Sequence, residues 1–377
     1  MCSMHCQPQG ETMNSYDEST LQAMKNVAYN LGEDKSATFF ARDTQIVDAR
    51  SATSAVEILP IALALEKYEW LRKLSYSLVS ADQDSYVEEV ANNPANLGYF
   101  IRVRAGEKVV LPIYTCYLID SSRFTQCTHN IVIAEEGSEF HLISGCTSNV
   151  HAESGRHIGV SEFFIHENAV VTSTMVHSWG KEVEVFPRTA AYVGKNGTFV
   201  SSYVALGSVK SVQMDPKAII EEGGLGEFYS VIYAPEGSVF DVGSTALLNG
   251  EGASTQMVSR VVSNGGHVLT RGKIVGEKSG GRGTMACNGL LLSDNGFIHA
   301  IPELVANNPN LELSHEASVG MISKDELAYL MASGIEEDRA KSLIIEGFLD
   351  LHIPSLPDYL QRQINALVEE TKVFDTI

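Results

Sequence analysis

Residues 250–268 read GEGASTQMVSRVVSNGGHV, and this stretch decides the fold. Two glycine-anchored polar elements, GEGAST and SNGGHV, bracket a run holding Met257, Val258, Val261 and Val262, which is strand text between turn signals. Related elements lie upstream as EEGSEF, HENAVV, GKNGTFV and PEGSVF. The anchors are Gly137, Asn168, Gly197, Gly237, Gly252 and Gly266, with successive differences of 31, 29, 40, 15 and 14 residues. Most of these fit a unit of about 15, two of which make a coil of about 30. β-prone filling at a fixed period suggests a solenoid in which each coil covers the open edge of the one before. The expectation is a parallel β-helix. A Greek-key sandwich is the alternative, because its turns also recur at short intervals and the 40-residue gap breaks the period.

Outward from this stretch the β texture runs from about Leu97 to Pro309. Before it, from about Ser15 to Ser85, the pattern is helical. Leu21, Met24, Val27 and Ala28 recur at spacings of three and four, and 58–79 is rich in Ala, Leu, Glu and Lys, with Pro60 limiting where that helix begins. After it, Ser323 and Glu326 form an S-x-x-E capping box ahead of Leu327, Leu330 and Met331, and Gly334 ends that helix. A second helix opens on Glu336, Glu337 and Asp338, and a third near Pro357 carries Leu360, Ile364 and Leu367. The resulting division is an N-terminal helical region over 1–96, a solenoid over 97–312 and a C-terminal helical domain over 313–377.

The totals exclude several classes. The 377 residues carry 47 acidic against 27 basic side chains, a net charge of -20, which repels nucleic acid and anionic membranes. The first 15 residues have neither a basic nor an apolar leader segment, and no later window is a membrane span, so a cytoplasmic protein is expected. The six cysteines (Cys2, Cys6, Cys116, Cys127, Cys146 and Cys287) are then free thiols. Cys116 and Cys127 alternate into strand text and read as core, and Cys2 and Cys6 flank His5 on a terminus.

His315 and Glu316 stand just before the capped helix. The sequence HEASV lacks the second histidine of H-E-x-x-H, which removes a zinc-protease reading. Adjacent strand residues point to opposite faces, so the two cannot serve one site together. Glu316 follows Cys287 by 29 residues, about one coil, and His177 follows Cys146 by 31. Neighbouring strands are about 4.8 Å apart, which is ligand-pair distance, and Glu316 is expected on the face of Cys287. The bland reading of each cysteine is a small buried hydrophobe.

The segments 117–148, 224–238, 285–320 and 322–348 resemble the SufB and SufD core proteins of the SUF iron–sulfur cluster assembly machinery. The motifs that carry the resemblance are SGCTS, GLGEFYSVIYAPEGS, MACNGLLLSDNG with LELSHEASVG, and ISKDELAYLMASGIEEDRAKSLIIEGF. The resemblance implies a right-handed parallel β-helix flanked by helical terminal domains. Cys146 matches the cysteine thought to receive sulfur, and Cys287 the cysteine that takes part in cluster formation. His315 and Glu316 match the SufB pair beside the cluster, whereas SufD follows its histidine with glycine. Trp179, in HSWG, matches a tryptophan on the internal route between the two cysteines. The sequence departs from SufB at Ser314, His177 and Thr128, where an acid, a glutamine and a glutamate are usual, and His177 is taken as part of the sulfur path.

By this resemblance the chain is a scaffold and not an enzyme. Its C-terminal helices dock a SufC-type ABC ATPase. No Gly-Lys-Ser or Gly-Lys-Thr phosphate loop is present, GGRGTMACNG having no such ending, so ATP is handled by that partner. A cluster needs about four ligands, more than Cys287 plus His315 or Glu316 of one chain provide. A homodimer with a labile 4Fe–4S or 2Fe–2S cluster at its interface is therefore expected, with a sulfur donor, apo-acceptor proteins and a reduced flavin as further candidates. A structural adaptor for the ATPase and a carbohydrate-processing β-helix are the rival readings.

Overall fold

The structure, a computed structural model, describes residues 16–349 except 30, 31, 33 and 153. The chain is mainly β, a solenoid of about 8 turns with five α-helices at its ends among the described residues. Two sheets form its walls. The first holds, in spatial order, β2 (Gln45–Ser51), β1 (Ala37–Arg42), β5 (Ile113–Ile119), β7 (Glu139–Ser148), β9 (Val170–Ser178), β11 (Thr198–Ala205), β14 (Leu225–Pro235), β17 (Ser254–Asn264), β19 (Arg282–Leu291) and β21 (Glu312–Met321). The second runs from β3 (Val56–Pro60) and β4 (Tyr99–Val103) through β6 (Phe124–Ala134), β8 (Ser154–Ile165) and β10 (Glu182–Val193). Beyond β10 it splits into β12 (Ser211–Met214) with β15 (Val239–Val242), and β13 (Lys217–Ile220) with β16 (Thr245–Leu248), then rejoins at β18 (His267–Gly276) and ends at β20 (Phe297–Ala306).

Coil length follows from the pairing register. Tyr114 pairs with Ile143, Ile143 with Thr174, Thr174 with Ser202, Ser202 with Tyr229 and Tyr229 with Val258, steps of 29, 31, 28, 27 and 29 residues. One corner of each coil carries a left-handed residue, in order Gly106, Gly137, Asn168, Asn196, Gly223, Gly252 and Gly280. Each donates its N–H to a carbonyl of the next coil, as Gly137 does to Glu167 and Gly223 to Glu251, so the corners stack as a ladder. The 40-residue gap in the sequence anchors is thereby resolved. Gly223 is the missing corner, and Gly237 and Gly266 belong to the opposite side of the coil.

Inward side chains such as Phe39, Phe140, Phe199 and Phe240 stack as the core, each contributing about 1.5–3 kcal/mol by burial. The outer faces are covered by helices. Helix α1 (Glu18–Lys25), capped by the Asp17 carboxylate accepting from the Thr20 N–H at 2.7 Å, packs Met24, with Val27 beyond its C-terminus, over Cys116 and Ile143 of the first sheet. On the second sheet, α2 (Ile61–Lys67) and α3 (Ser85–Ala91) cover Phe100, Ile131, Ile158 and Phe186. Among the described residues no helix is long and apolar enough to cross a membrane.

Three expectations are corrected. The stretch 37–60 inside the supposed N-terminal helical region forms three strands, because ATFF and QIVD find open sheet edges to pair with, β1 running parallel to β5. The helix expected over 58–79 is short. Pro60 starts α2 at Ile61, Tyr68 is extended, and a 3-10 turn follows over Glu69–Lys73. The boundary at 313 also moves, since β21 continues the solenoid to Met321 before Ser323 caps α4 (Lys324–Ala332) through the Glu326 N–H, with α5 (Glu337–Leu349) following. The third helix near Pro357 lies outside the described residues, as do Cys2, His5 and Cys6.

The entry to β4 needs glycine. Gly98 has φ +147°, and a Cβ there would stand 1.8 Å from the His129 carbonyl oxygen. Gly98→Ala is expected to destabilise the protein by about 1–3 kcal/mol or more, read from the urea midpoint, with an unchanged midpoint counting against this account.

Candidate functional site

Alternation along each strand divides the first sheet into an outer face under α1 and α5 and an inner face toward the solenoid axis. On β7 the inner residues include Ser144 and Cys146, and the register sets Cys146 between Tyr117 and His177. The 31-residue spacing was thus a true neighbour relation. Cys146 is 3% exposed, and burial pushes its thiol up to about 12. His177 Nδ1 lies 3.2 Å from the Tyr203 hydroxyl, and its ring meets Trp179 edge-on at 5.5 Å. Trp179 in turn lies 5.3 Å from His157, whose Nδ1 is 2.9 Å from Gln126 Oε1.

This chamber is polar but uncharged. Burial holds His157 down to about 4 and, with His157 beside it, keeps His177 well below its ordinary range. His177 Nε2, Trp179 Nε1 and Thr128 Oγ1 are buried with no hydrogen-bond partner. Buried orphans of this kind cost about 1–3 kcal/mol each, so a small polar guest in the chamber would find hydrogen-bonding groups there. Thr128 thus leaves an unspent hydroxyl. A pH dependence follows. His157 is neutral when folded and protonates near 6.5 when unfolded, so stability is full above 6.5 and falls by about 3 kcal/mol between 6.5 and 4. His157→Gln is expected to flatten that part of the stability curve in urea titrations across this range.

From Ser144 a lane of register partners runs down the inner face: Met175, Tyr203, Ser230, Ser259 and then Cys287. Five strand steps place Cys287 about 24 Å from the Cys146 coil. Two cavities, each of about 30 Å³, lie along the lane. One touches Tyr99, Ser144, Ser161 and Tyr203, the other Tyr203, Ser259, Thr270 and Cys287. Burial raises the Cys287 thiol, opposed by a hydrogen bond with Thr270. Tyr203, His157 and the serine lane escaped the sequence reading. Alternating hydroxyls in SSYV and FYSV were visible, but only register shows that they stack.

At the terminal coil the expectation fails in one respect. Cys287 pairs with Ala317, one residue beyond Glu316, so the step is 30 residues and not 29. Glu316 pairs with Ala286 and is exposed on the outer face. His315, beside Met285, shares the inner face with Cys287, and its Nε2 is buried without a partner. A one-residue slip exchanges faces. Among the described residues β20 and β21 end their sheets, so this coil presents two unpaired strand edges beside Cys287 and His315. Among the described residues no three His, Cys, Asp or Glu side chains of one chain converge to hold a metal ion. Cys116 and Cys127 are buried on the outer faces, under α1 and α3 respectively.

Residues 117–348 match the model of the family described as SUF system FeS cluster assembly, SufBD core domain. An iron–sulfur cluster assembly SufBD family protein of Archaeoglobus fulgidus is 42% identical over 365 residues, 96% of this chain and 98% of that one. Proteins so described from Methanothermobacter thermautotrophicus and Pyrococcus horikoshii are 38% and 34% identical. They align over 89% and 84% of this chain, and over 83% and 72% of their own lengths.

Proposed function

The chain belongs to the SufBD family of iron–sulfur cluster assembly proteins, and from that premise we propose that it is the scaffold on which a labile cluster is built. Cys146 receives sulfur, the neutral lane carries it, and Cys287 holds the growing cluster. The observation that carries this reading is that Cys287 and His315, whose Nε2 has no partner among the described residues, share one inner face on adjacent strands, at the coil whose described strand edges are open. One chain offers a single thiol and a single imidazole there. Two copies joined through those edges would supply the about four ligands a cluster takes. Imidazole holds iron less firmly than thiolate, which suits a product that must be passed on.

The C-terminal helices are the proposed dock for a SufC-type ATPase. Helix α4 has no buried residue and leaves Tyr329 and Met331 exposed, while α5 is tied to the solenoid by Arg260, whose Nη1 donates to the Phe348 carbonyl at 2.5 Å. A force on α4 would therefore reach β21 and β17 directly. A chain ending at Ile322 that still bound the ATPase would remove this part of the proposal.

Anaerobic reconstitution with ferrous iron and sulfide, followed by Mössbauer spectra and native mass, tests the whole. One cluster per two chains is expected. A cluster on a single chain would overturn the interface site, and no uptake would favour an adaptor role.

A further inference from the structure

Met214, the last residue of β12, faces inward and is 7% exposed, yet it borders three spaces at once. Two are the internal cavities on either side of Tyr203, the second of which holds Cys287. The third is a cleft of about 510 Å³ on the outside of the second sheet, bounded by Val79, Asp84, Thr189, Asp215 and Arg271. Thr189 lines both this cleft and the upper cavity, and Arg271 both the cleft and the Cys287 cavity.

The wall is thin here for a structural reason. The second sheet is interrupted on two successive coils, at 215–216 and 243–244. Gly243 allows the close fit, since a Cβ there would stand 2.9 Å from Asp215 Oδ1 and 3.0 Å from Arg271 Cβ. What separates cleft from lane is a layer of backbone with the side chains of Thr189, Arg271 and Met214, and only Met214 borders all three spaces. Methionine has three rotatable bonds and adapts to irregular gaps, so it is a side chain able to swing aside without moving the strands.

The surroundings select what could pass. At the mouth, Arg188 lies 2.6 Å from Asp84 and Arg271 2.5 Å from Asp241, Asp215 accepts from the Thr245 hydroxyl, and Lys217 also lines the cleft. The upper cavity is lined by hydroxyls and neutral side chains, and the one charged group bordering the Cys287 cavity, Arg271, is already paired with Asp241, so burying an ion there would be costly. With Met214 in place, cavities of about 30 Å³ accept one molecule of water size, so a larger neutral reagent gains access only when that side chain is cut back.

We propose that the Met214 position is a side port joining the outer cleft to the internal lane, admitting small neutral molecules, with dihydrogen sulfide as the cargo. The cargo rests on the proposed function; the port does not. Sulfide arriving here enters the lane at Tyr203, midway between the two cysteines, and bypasses Cys146.

The port is tested by thiol labelling of the full chain without iron. Methyl methanethiosulfonate, which is neutral, converts a thiol to its methyl disulfide and releases methanesulfinic acid; the sulfonatoethyl analogue, which carries a negative charge, forms the sulfonatoethyl disulfide and releases the same acid. Mass mapping follows Cys287. In Met214→Ala the neutral reagent is expected to label Cys287 roughly tenfold faster than in the unaltered chain, because truncation leaves a gap the packed wall does not refill. The charged reagent should stay slow in both. In Met214→Cys, which keeps the site small and sulfur-bearing, the introduced thiol should react with the neutral reagent before Cys287 does. Circular dichroism confirms folding, and if Met214→Ala does not fold, Met214→Cys decides alone. Unchanged labelling in Met214→Ala, equal acceleration by both reagents, or an introduced thiol slower than Cys287 would each overturn the port. None of these readouts involves a cluster, so failure of the scaffold reading in reconstitution is seen separately.

Discussion

Replacing Cys287 with serine is expected to abolish the visible absorption that iron and sulfide give with the unaltered chain, while leaving the fold in place. The two halves of that outcome have separate physical causes. Serine is close in volume to cysteine, and the site already contains hydroxyls, Ser259 being the register partner of Cys287 and Thr270 its hydrogen-bonding neighbour. The cost to stability should stay within about 1 kcal/mol. The cost to ligation is large, because clusters are held by thiolates and a serine hydroxyl is a harder, more weakly bound donor. His315→Ala should be milder, weakening uptake and hastening loss of the cluster, since the thiols remain. Spectra of Cys287→Ser equal to those of the unaltered chain would sink the cluster role of Cys287 and leave the adaptor reading.

The largest expected effect on stability lies far from the cysteines, at Glu162. Its carboxylate is fully buried on the outer face of β8 and accepts the N–H groups of Tyr76 and Leu78 at 2.7 Å and of Val79 at 3.2 Å. His129 Nε2 lies 2.9 Å from the same carboxylate, and Tyr76 stacks on that imidazole at 4.1 Å. One side chain thus fastens the segment after the 3-10 turn to the solenoid. Glu162→Ala strands three backbone donors and an imidazole away from water and is expected to cost about 3–5 kcal/mol. Glu162→Gln keeps one carbonyl acceptor and should cost less. Urea denaturation measures both, and a loss under about 1 kcal/mol for the alanine variant would show that water replaces the carboxylate.

The two sites differ in how they are written in the chain. Cys146 and His177 were legible as neighbours because the coil between them has the length the repeat suggested, and glycine or asparagine at the corners advertises that repeat. The clamp at Glu162 was not legible, since its partners are backbone groups 83 to 86 residues away and no side-chain pattern announces an N–H. The strands of 37–60 were hidden for a related reason. Their sequences are short and flanked by helical text, and they become strands because β5 and β4 present edges to them.

By itself the sequence determined the solenoid, the family, the capped helix at Ser323 and the chemical types at each end of the lane, because these depend on local periodicity and on residue identity. Only the tertiary structure decided which face each side chain takes. The register steps between coils range from 27 to 31 residues, since the corners differ in length, and with a side-chain period of two a single residue of slack reverses inside and outside. That slack moved Glu316 to the surface, brought His315 to the side of Cys287, and left Met214 where an interrupted sheet is thin.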